Sequence, residues 1–393
     1  MRILHTSDWH LGRSFHNTDM LSSQQHAIDF IVETIAERAI DLVLLSGDVY
    51  DRALPPVDAV RMFDQALVDM HAAGAQVVVT SGNHDSAIRL GFMSRMMRDN
   101  GVYIRTMPET IAEPIIFDDD PAARLCIWTV PYLEPRLHAV DFGVDANHYS
   151  VMSAVMDRVH AEIADSGLQD ARHIMMAHLF AAGATGSDSE KNMGEDVGGE
   201  VGTLGQVPAD MFDGMDYVAL GHLHGRQTMS ETVRYCGSPV AYSFSEHNHR
   251  KGMWLLDTAE GISAESIEWI DIPQLKQLAV LTDELEPLLE SEDYAWAENA
   301  WCQITVTDPQ RPPRAFQRLK ERFSGMLNFI LAPTGAAERQ TTYSDRIANA
   351  KTDLELVLDF VDHVRNRPAS DQEQRWLQDA LDHVNRVKEQ DVK

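Results

Sequence analysis

The sequence is poor in cysteine, in long apolar runs and in positive charge, and each shortage narrows the possible classes of protein. It contains 3 cysteines, Cys126, Cys236 and Cys302, and no motif pairs them. This disfavours a disulfide framework and fits a reducing cytoplasm. No apolar run approaches the ~20 residues of a membrane span, and the first residues lack the apolar core of a secretion signal. We therefore expect a cytoplasmic protein.

The shortage of positive charge bears on the substrate. Lys and Arg number 33 against 61 Asp and Glu, which gives a formal net charge of -28. Proteins that bind nucleic-acid phosphates usually rely on basic residues, so the charge alone favours a small substrate or a protein partner. Many carboxylates are clustered, however, as between Asp283 and Glu298, and bound metal ions would add positive charge where it is needed. Nucleic acid therefore stays a candidate substrate.

Five short polar segments each follow an apolar run. An apolar run of this length is typical of a buried strand, and ligands of α/β proteins bind beyond the carboxyl ends of strands. We therefore expect the Asp, Asn and His side chains of the five segments to meet in one cleft. The segments are Asp8-Trp-His10, Gly47-Asp-Val-Tyr-Asp51, Gly82-Asn-His-Asp85, His178 and Gly221-His-Leu-His224.

These residue types predict two adjacent metal ions. Mixed carboxylate and imidazole ligands favour manganese, iron or zinc over calcium, and we expect two divalent ions, with Mn²⁺ in use. Asp48 has two carboxylate oxygens and is predicted to bridge the ions, which would lie roughly 3.5 to 4 Å apart. The other predicted ligands are Asp8, His10 and His224 for one ion, and Asn83, His178 and His222 for the other.

The five segments resemble the motifs of the calcineurin-like metallophosphoesterases and match them without a gap. Three further stretches are similar to the SbcD nuclease family: Met1 to Gly12, Asp216 to His224, and Gly237-Ser-Pro239 followed by Ser243-Phe-Ser-Glu246. The resemblance is strong to about residue 257. It implies Mn²⁺-dependent exonuclease and endonuclease action on DNA, within a complex for double-strand-break and hairpin processing. The implied partners are an SbcC-like coiled-coil ATPase and a second copy of the chain, in a heterotetramer.

The resemblance also implies a catalytic role for His84. Its imidazole is expected to face the substrate, where it can protonate the leaving 3′-oxygen or stabilise charge in the transition state. Either Asp51 or Asp85 could orient the ring. Some relatives carry a phosphate-contacting histidine at the position of Asp51, so a second imidazole of this kind is missing here.

Two other functions compete with a DNA nuclease. The same metal site could hydrolyse nucleotides or other small phosphates, or the fold could serve as a scaffold without catalysis. The complete ligand set argues against a scaffold. The roughly 120 residues of the capping domain and C-terminal tail argue against a small-substrate enzyme.

The fold class expected is α/β, and 393 residues suffice for two or three domains. For residues 1–272 we expect a two-sheet β-sandwich metallophosphoesterase core flanked by helices. Residues 273–340 predict a small α/β capping domain, with strands at Leu278–Thr282 and Trp301–Thr307. Residues 341–393 predict a C-terminal helix pair, in which Ser370 and Glu373 form a capping box.

The capping domain carries an apolar pattern at helical spacing from Arg311 to Ile330, which predicts one amphipathic helix. Arg314, Arg318 and Arg322 recur every four residues on another face. This arginine ridge is either a possible DNA contact or a solvated surface that balances nearby acids, and the resemblance favours DNA slightly.

Three further segments leave alternatives open. The C-terminal helices either bind a partner or pack on the chain's own core, and we favour the partner. The glycine-rich stretch 183–205 predicts a loop that either orders over substrate or has no role. The methionine-rich segment Phe92–Met97 belongs either to the core or to a dimer contact.

Overall fold

The computed structural model describes residues 1–118, 124–190, 206–334, 352–365 and 367–391. Most of the predicted loop at 183–205 lies outside these residues, as does the proposed domain boundary at 340. In the described chain no helix is both long and apolar enough to cross a membrane.

Strands and helices alternate through the first part of the described chain, as the sequence pattern predicts. The strands are β1 (Arg2–Thr6), β2 (Ser14–Phe15), β3 (Thr18–Asp19), β4 (Leu42–Ser46), β5 (Gln76–Thr80), β6 (Val102–Arg105), β7 (Ile115–Phe117), β8 (Leu125–Val130), β9 (Arg172–His178), β10 (Tyr217–Gly221), β11 (Gln227–Thr228), β12 (Val233–Tyr235), β13 (Gly252–Asp257), β14 (Ile267–Asp271), β15 (Leu278–Asp283), β16 (Trp301–Val306) and β17 (Met326–Leu331). The α-helices are α1 (Leu21–Arg38), α2 (Val57–Ala72), α3 (Ala87–Leu90), α4 (Ser94–Met97), α5 (Pro135–Phe142), α6 (His148–Asp165), α7 (Leu285–Glu290), α8 (Ala315–Arg322), α9 (Asp353–Arg365) and α10 (Asp371–Asp391). Short 3₁₀ turns lie at Arg98–Asn100, Pro108–Thr110, Ala209–Phe212, Phe244–Glu246, Ala264–Ser266 and Glu292–Ala297.

Two six-stranded sheets form the core, in the orders β14-β13-β1-β4-β5-β6 and β11-β12-β10-β9-β8-β7. In the first sheet β1, β4, β5 and β6 are parallel, and in the second β8, β9, β10 and β12 are parallel. Parallel strands bring their carboxyl ends to one edge of each sheet. The predicted two-sheet sandwich is confirmed.

The continuous apolar runs are explained by burial on both faces of each sheet. Along β4, Leu42 and Leu44 face a core that also includes Ile174 of the second sheet, while Val43 and Leu45 pack in the core under α1 and α2. The second sheet is covered in the same way by α6. Because side chains alternate between faces, both kinds of position must be apolar.

A three-stranded parallel sheet, ordered β15-β16-β17, forms the small α/β region together with α7 and α8. It has a core of its own that includes Leu281, Ile304, Leu319 and Phe323. Its Trp301 also packs on the main core, with the ring centroid 6.0 Å from that of Phe15. The predicted division of the chain at residue 272 stays a prediction.

The predicted single helix from Arg311 to Ile330 is wrong in its second half. The helix α8 ends at Arg322, and residues 326–331 form β17, paired with β16. Apolar residues at 323, 326 and 327 satisfy a helical period, but strand pairing with β16 decides the backbone. A Cβ atom on Gly325 would lie 2.1 Å from the carbonyl oxygen of Ala300, so the glycine permits this close approach.

The described chain divides into two compact units, residues 1–306 with 313–331 and residues 307–312 with 332–393. The second unit contains α9 and α10, which confirms the helix pair. The capping box is formed as predicted: the Ser370 amide donates to the Glu373 carboxylate at 2.8 Å, and the Glu373 amide donates to Ser370 Oγ at 3.4 Å.

Candidate metal centre

The predicted ligands follow strands of both sheets. Asp8 and His10 follow β1, Asp48 follows β4 and Asn83 follows β5, all in the first sheet. The second sheet contributes His178 at the end of β9, and His222 and His224 after β10. The site therefore spans the edge where the carboxyl ends of both sets of parallel strands meet.

Several of these residues have an unusual backbone conformation. The φ angles of Asp8, His10, Asp48 and His222 are 55°, 46°, 50° and 106°. Such angles cost of the order of 1 to 3 kcal/mol for a residue with a side chain, and they persist only where surrounding contacts enforce them. Four of the seven predicted ligands are strained in this way. We infer that the sharp turns at these residues are maintained because they place the ligand side chains.

The first predicted group meets between the ends of β1 and β10. Ligand atoms of Asp8, His10 and His224 all lie within 4.8 Å of one another. The Nε2 atoms of His10 and His224 face each other at 3.0 Å. Two unprotonated ring nitrogens at that distance repel unless a cation or a proton lies between them. The arrangement therefore fits a metal ion held by both imidazoles.

The second predicted group meets around Asn83. Its Oδ1 atom lies 3.0 Å from His178 Nε2 and 3.3 Å from His222 Nδ1. Asp48 Oδ2 lies 3.4 Å from His178 Nε2 and 3.5 Å from His10 Nε2, so this carboxylate reaches both groups. A carboxylate between two sets of donors is the geometry that a bridging ligand needs.

Burial controls the protonation of the imidazoles. It lowers the pKa of His10 and of His222 to about 3, so both rings are neutral, which is the form that binds a metal. Burial alone would also lower the pKa of His178, but the Asp48 carboxylate outweighs it and raises that pKa to about 9.

The carboxylates show the reverse effect. Burial raises the pKa of Asp8 to about 6. For Asp48, burial is outweighed by the nearby imidazoles, His178 first, and its pKa lies well below the usual range. These buried acids need adjacent positive charge, which a divalent cation also supplies. The donor set therefore fits a pair of divalent ions on charge as well as on geometry.

Neighbouring groups fix the tautomers of the histidines. The Nδ1–H group of His178 donates to the carbonyl oxygen of Ser46 at 3.0 Å, which directs Nε2 toward Asn83 and Asp48. His224 Nδ1 lies 2.7 Å from Ser189 Oγ, and its Nε2 faces the centre. Sequence reasoning missed Ser189, because nothing in its polar surroundings marks it as a site residue.

His84 lies at the rim of the centre. Its ring centroid is 4.7 Å from that of His10, and its amide donates to Asp48 Oδ1 at 2.9 Å. Its Nδ1 donates to the backbone carbonyl of Asp51 at 2.8 Å, which leaves Nε2 for a substrate. Ligand atoms of His10, Asp48 and His84 also lie within 4.8 Å of one another, so a role as ligand is the alternative.

The two acids suggested as orienting groups have different roles. Asp51 orients His84 through its backbone carbonyl, while its carboxylate lies 3.6 Å from His10 Nδ1. Asp85 does not contact the imidazole. Its buried carboxylate accepts from the amides of Val49, Tyr50 and Gly82, so it holds the loops that follow β4 and β5 together.

The glycine at the start of the Gly-Asn-His-Asp segment allows this close packing. A Cβ atom on Gly82 would lie 2.1 Å from Asp48 Oδ1. A side chain here would push the predicted bridging carboxylate out of place. The glycine in this motif is therefore a requirement of the metal centre itself.

The three arginines of the ridge belong to the small α/β region, where Arg314 precedes α8 and Arg318 and Arg322 lie within it. Arg318 makes a two-point ion pair with Glu286, at 2.7 and 2.9 Å. Arg322 pairs with Glu298 and also donates to two backbone carbonyls. Arg314 is exposed at the N-cap of the helix. Their predicted contact with DNA stays a prediction.

Comparison with known proteins identifies the family of this centre. The family model for calcineurin-like phosphoesterases matches residues 1–226. The chain is also 33% identical over 326 residues to the SbcD subunit of the nuclease SbcCD of Escherichia coli K12, covering 78% of each protein. The chain belongs to the SbcD nuclease family. The resemblance seen in the sequence is confirmed, and the protein is a metal-dependent phosphodiester hydrolase of this family.

Two solved structures also match part of this chain. They are TT1561 of Thermus thermophilus, with 13% identity, a TM-score of 0.40 and coverage of 69% of this chain and 99% of that one, and a dimetal phosphatase from Danio rerio, with 15% identity, a TM-score of 0.41 and coverage of 70% and 99%. Scores at this level carry no argument about function. The SbcD relative covers 78% of this chain at 33% identity, against 69% and 70% for the two structures.

Proposed function

We propose that the chain is the Mn²⁺-dependent nuclease subunit of a complex that processes DNA double-strand breaks and hairpins, with exonuclease and endonuclease activity. The observation that carries this proposal is the convergence of seven oxygen and nitrogen donors, five of them on buried residues, beside a histidine with a free Nε2. The relationship to a nuclease subunit supports a nucleic-acid substrate over other phosphodiesters.

The metal ligands are proposed in two sets that share one residue. Asp8, His10 and His224 hold one ion and Asn83, His178 and His222 hold the other, with Asp48 common to both. When bound, two such ions supply an activated water and positive charge for the phosphate oxygens. Mixed carboxylate, amide and imidazole donors suit Mn²⁺.

His84 is proposed as the general acid. Its Nδ1–H is fixed on the Asp51 carbonyl, so a proton carried on Nε2 is directed away from that loop. From there it can pass to the leaving 3′-oxygen as the phosphodiester bond breaks. The T-shaped contact with the His10 ring holds the imidazole in this orientation.

The alternative substrate is a nucleotide or another small phosphate. The net charge of -28 favours it, whereas the additional regions beyond the catalytic core do not. The test is hydrolysis of end-labelled duplex DNA, hairpin DNA, free nucleotides and a chromogenic phosphodiester, each with Mn²⁺, with Mg²⁺ and with chelator. We expect Mn²⁺-dependent cleavage of both DNAs. Rapid turnover of nucleotides with intact DNA would establish the small-phosphate enzyme instead.

An SbcC-like coiled-coil ATPase is the proposed partner of the C-terminal helices. Phe360 and Val364 of α9 and Trp376 of α10 are 53%, 63% and 61% exposed. Large apolar side chains on a helix face are suited to a hydrophobic partner groove.

A second exposed apolar surface is the proposed contact of a homodimer. Ile88, Phe92 and Met96, on and between α3 and α4, are 69% to 73% exposed. The methionine-rich segment is thus on the surface. With one ATPase on each copy, the assembly would be a heterotetramer.

Light scattering of the chain, alone and mixed with the ATPase, tests both contacts. We expect a dimer alone and a two-plus-two complex in the mixture. The double variant Phe92→Asp, Met96→Asp should give a monomer that still binds the ATPase. The matched variant Phe360→Asp, Trp376→Asp should stay dimeric and lose the ATPase. A monomeric parent chain, or tail variants that retain the ATPase, would contradict these assignments.

A further inference from the structure

A group of buried polar residues surrounds His224 and is not explained by the catalytic reaction. Ser189, Glu190, Glu246 and Lys251 come from two separate stretches of the chain and all contact this histidine or one another. Glu246 and Lys251 form an ion pair whose side chains are 0% and 2% exposed. Burying an ion pair commonly costs as much free energy as it returns, so its position calls for another reason.

The directions of the hydrogen bonds follow from the chemistry of the groups. Ser189 Oγ lies 2.8 Å from Glu246 Oε1 and 2.7 Å from His224 Nδ1. A carboxylate can only accept, so the single hydroxyl proton of Ser189 is donated to Glu246. The hydroxyl oxygen must then accept from His224, while the neighbouring Ser187 hydroxyl donates its own proton to the Glu190 carboxylate at 2.6 Å. His224 therefore carries its proton on Nδ1 and presents an unprotonated Nε2 to His10.

Lys251 keeps Glu246 in the acceptor state. Its ammonium forms an ion pair with the Glu246 carboxylate, and both side chains are buried, so Glu246 stays ionised and can only accept. The same ammonium donates to the backbone carbonyl of His224 at 2.8 Å. Glu190 accepts from the backbone amide of His224. The histidine is thus held at its ring, its amide and its carbonyl.

We propose that Ser189 and Glu246 are positioning residues that fix the tautomer and direction of His224 for one of the two metal ions. Neither touches the reacting atoms. The effect is specific to that ion, because His178, in the other ligand set, is oriented by the main-chain carbonyl of Ser46. This inference rests on the proposed two-metal centre and goes beyond it by naming the residues that set the affinity of one half.

The test is a titration of the metal-free full chain with Mn²⁺, in which free Mn²⁺ is measured by electron paramagnetic resonance. The unaltered chain should bind two ions. Ser189→Ala should weaken one binding step by about 10- to 100-fold, the usual effect of removing an outer hydrogen-bond partner of a ligand. The other step should be unchanged. Ser189→Thr retains the hydroxyl and should restore the weakened step.

Ser245→Ala is the matched control. The Ser245 hydroxyl accepts from the Asp188 amide and so helps to hold the same segment, but it does not touch Ser189 or His224. Both binding steps should be normal in this variant, and the thermal unfolding midpoint in chelator should be the same for all four proteins. The inference is overturned if Ser189→Ala weakens both steps equally or weakens neither. It is also overturned if Ser245→Ala shows the same loss, or if Ser189→Thr binds as weakly as Ser189→Ala. If the unaltered chain binds no Mn²⁺, the two-metal centre itself fails.

Discussion

The metal centre and the arginine ridge of α8 are both regular patterns of polar residues, yet the structure treats them in opposite ways. The centre brings polar groups together that cannot satisfy one another: the Nε2 atoms of His10 and His224 face each other at 3.0 Å, and two unprotonated ring nitrogens cannot form a hydrogen bond. On α8, Arg318 and Arg322 satisfy their guanidinium groups with acids and carbonyls of the same sheet region. Buried groups with incomplete partners require a ligand, and paired surface charges do not.

The three arginines can be ranked as DNA contacts by how fully each guanidinium group is already paired within the protein. Arg322 donates three hydrogen bonds within its own region and is 15% exposed, so it acts in the structure of the small sheet. Arg318 would have to leave Glu286 before it could bind a phosphate. Arg314 is exposed and fits a phosphate contact best. A spacing of four residues did not distinguish these three environments.

The largest effect is expected at Asp48. Asp48→Ala should reduce hydrolysis of DNA and of a chromogenic phosphodiester to background, because both ligand sets lose the residue that they share. Metal analysis should show a fall from two ions toward one or none. Asp85→Asn is the comparison variant. Asp85 holds the neighbouring loops together but is not a predicted ligand, and asparagine keeps the shape of its side chain. An active Asp48→Ala protein with two ions bound would show that Asp48 is not the bridge.

A smaller effect is expected at His84. Loss of a general acid costs about 10² to 10⁴ in rate, so His84→Ala should slow cleavage by this amount while both ions stay bound. The defect should shrink for a substrate whose leaving group needs no proton, such as nitrophenolate. Metal analysis separates the two roles, because loss of one ion would identify His84 as a ligand.

The smallest effects are expected on the ridge, and they should differ between its ends. Arg314→Ala should reduce the slope of log DNA affinity against log salt by roughly 0.9, the amount for one phosphate contact, without a change in stability. Arg322→Ala should leave that slope unchanged but lower the free energy of unfolding by roughly 1 to 3 kcal/mol, since its hydrogen bonds to Glu298 and two carbonyls are lost. Affinity measured at several salt concentrations and urea unfolding give the two readouts. The reverse pattern would mean that Arg322 contacts DNA and that Arg314 stabilises the fold.

The sequence predicted most of the site because a simple physical rule applied to it. Apolar runs such as Leu42 to Leu45 are buried on both faces, so the polar residue after each run had to lie at a strand end. The rule failed at Met326 and Leu327, where the same apolar residues fit a helix or a strand and pairing with β16 made the choice. It gave no sign of Ser189, because contact between Ser189, Glu246 and His224 depends on the folding of distant segments onto one another.

The origin of the ligands in two sheets has a consequence for biogenesis. Asp8 lies close to the start of the chain and His224 beyond its midpoint, and the two meet only when the carboxyl edges of both sheets have assembled. A nascent chain that has not yet extended past β10 has no complete centre, and neither has a chain whose two sheets have not docked. High-affinity metal uptake at the proposed centre would therefore report completed folding of the catalytic core, and by mass action it would also stabilise that state.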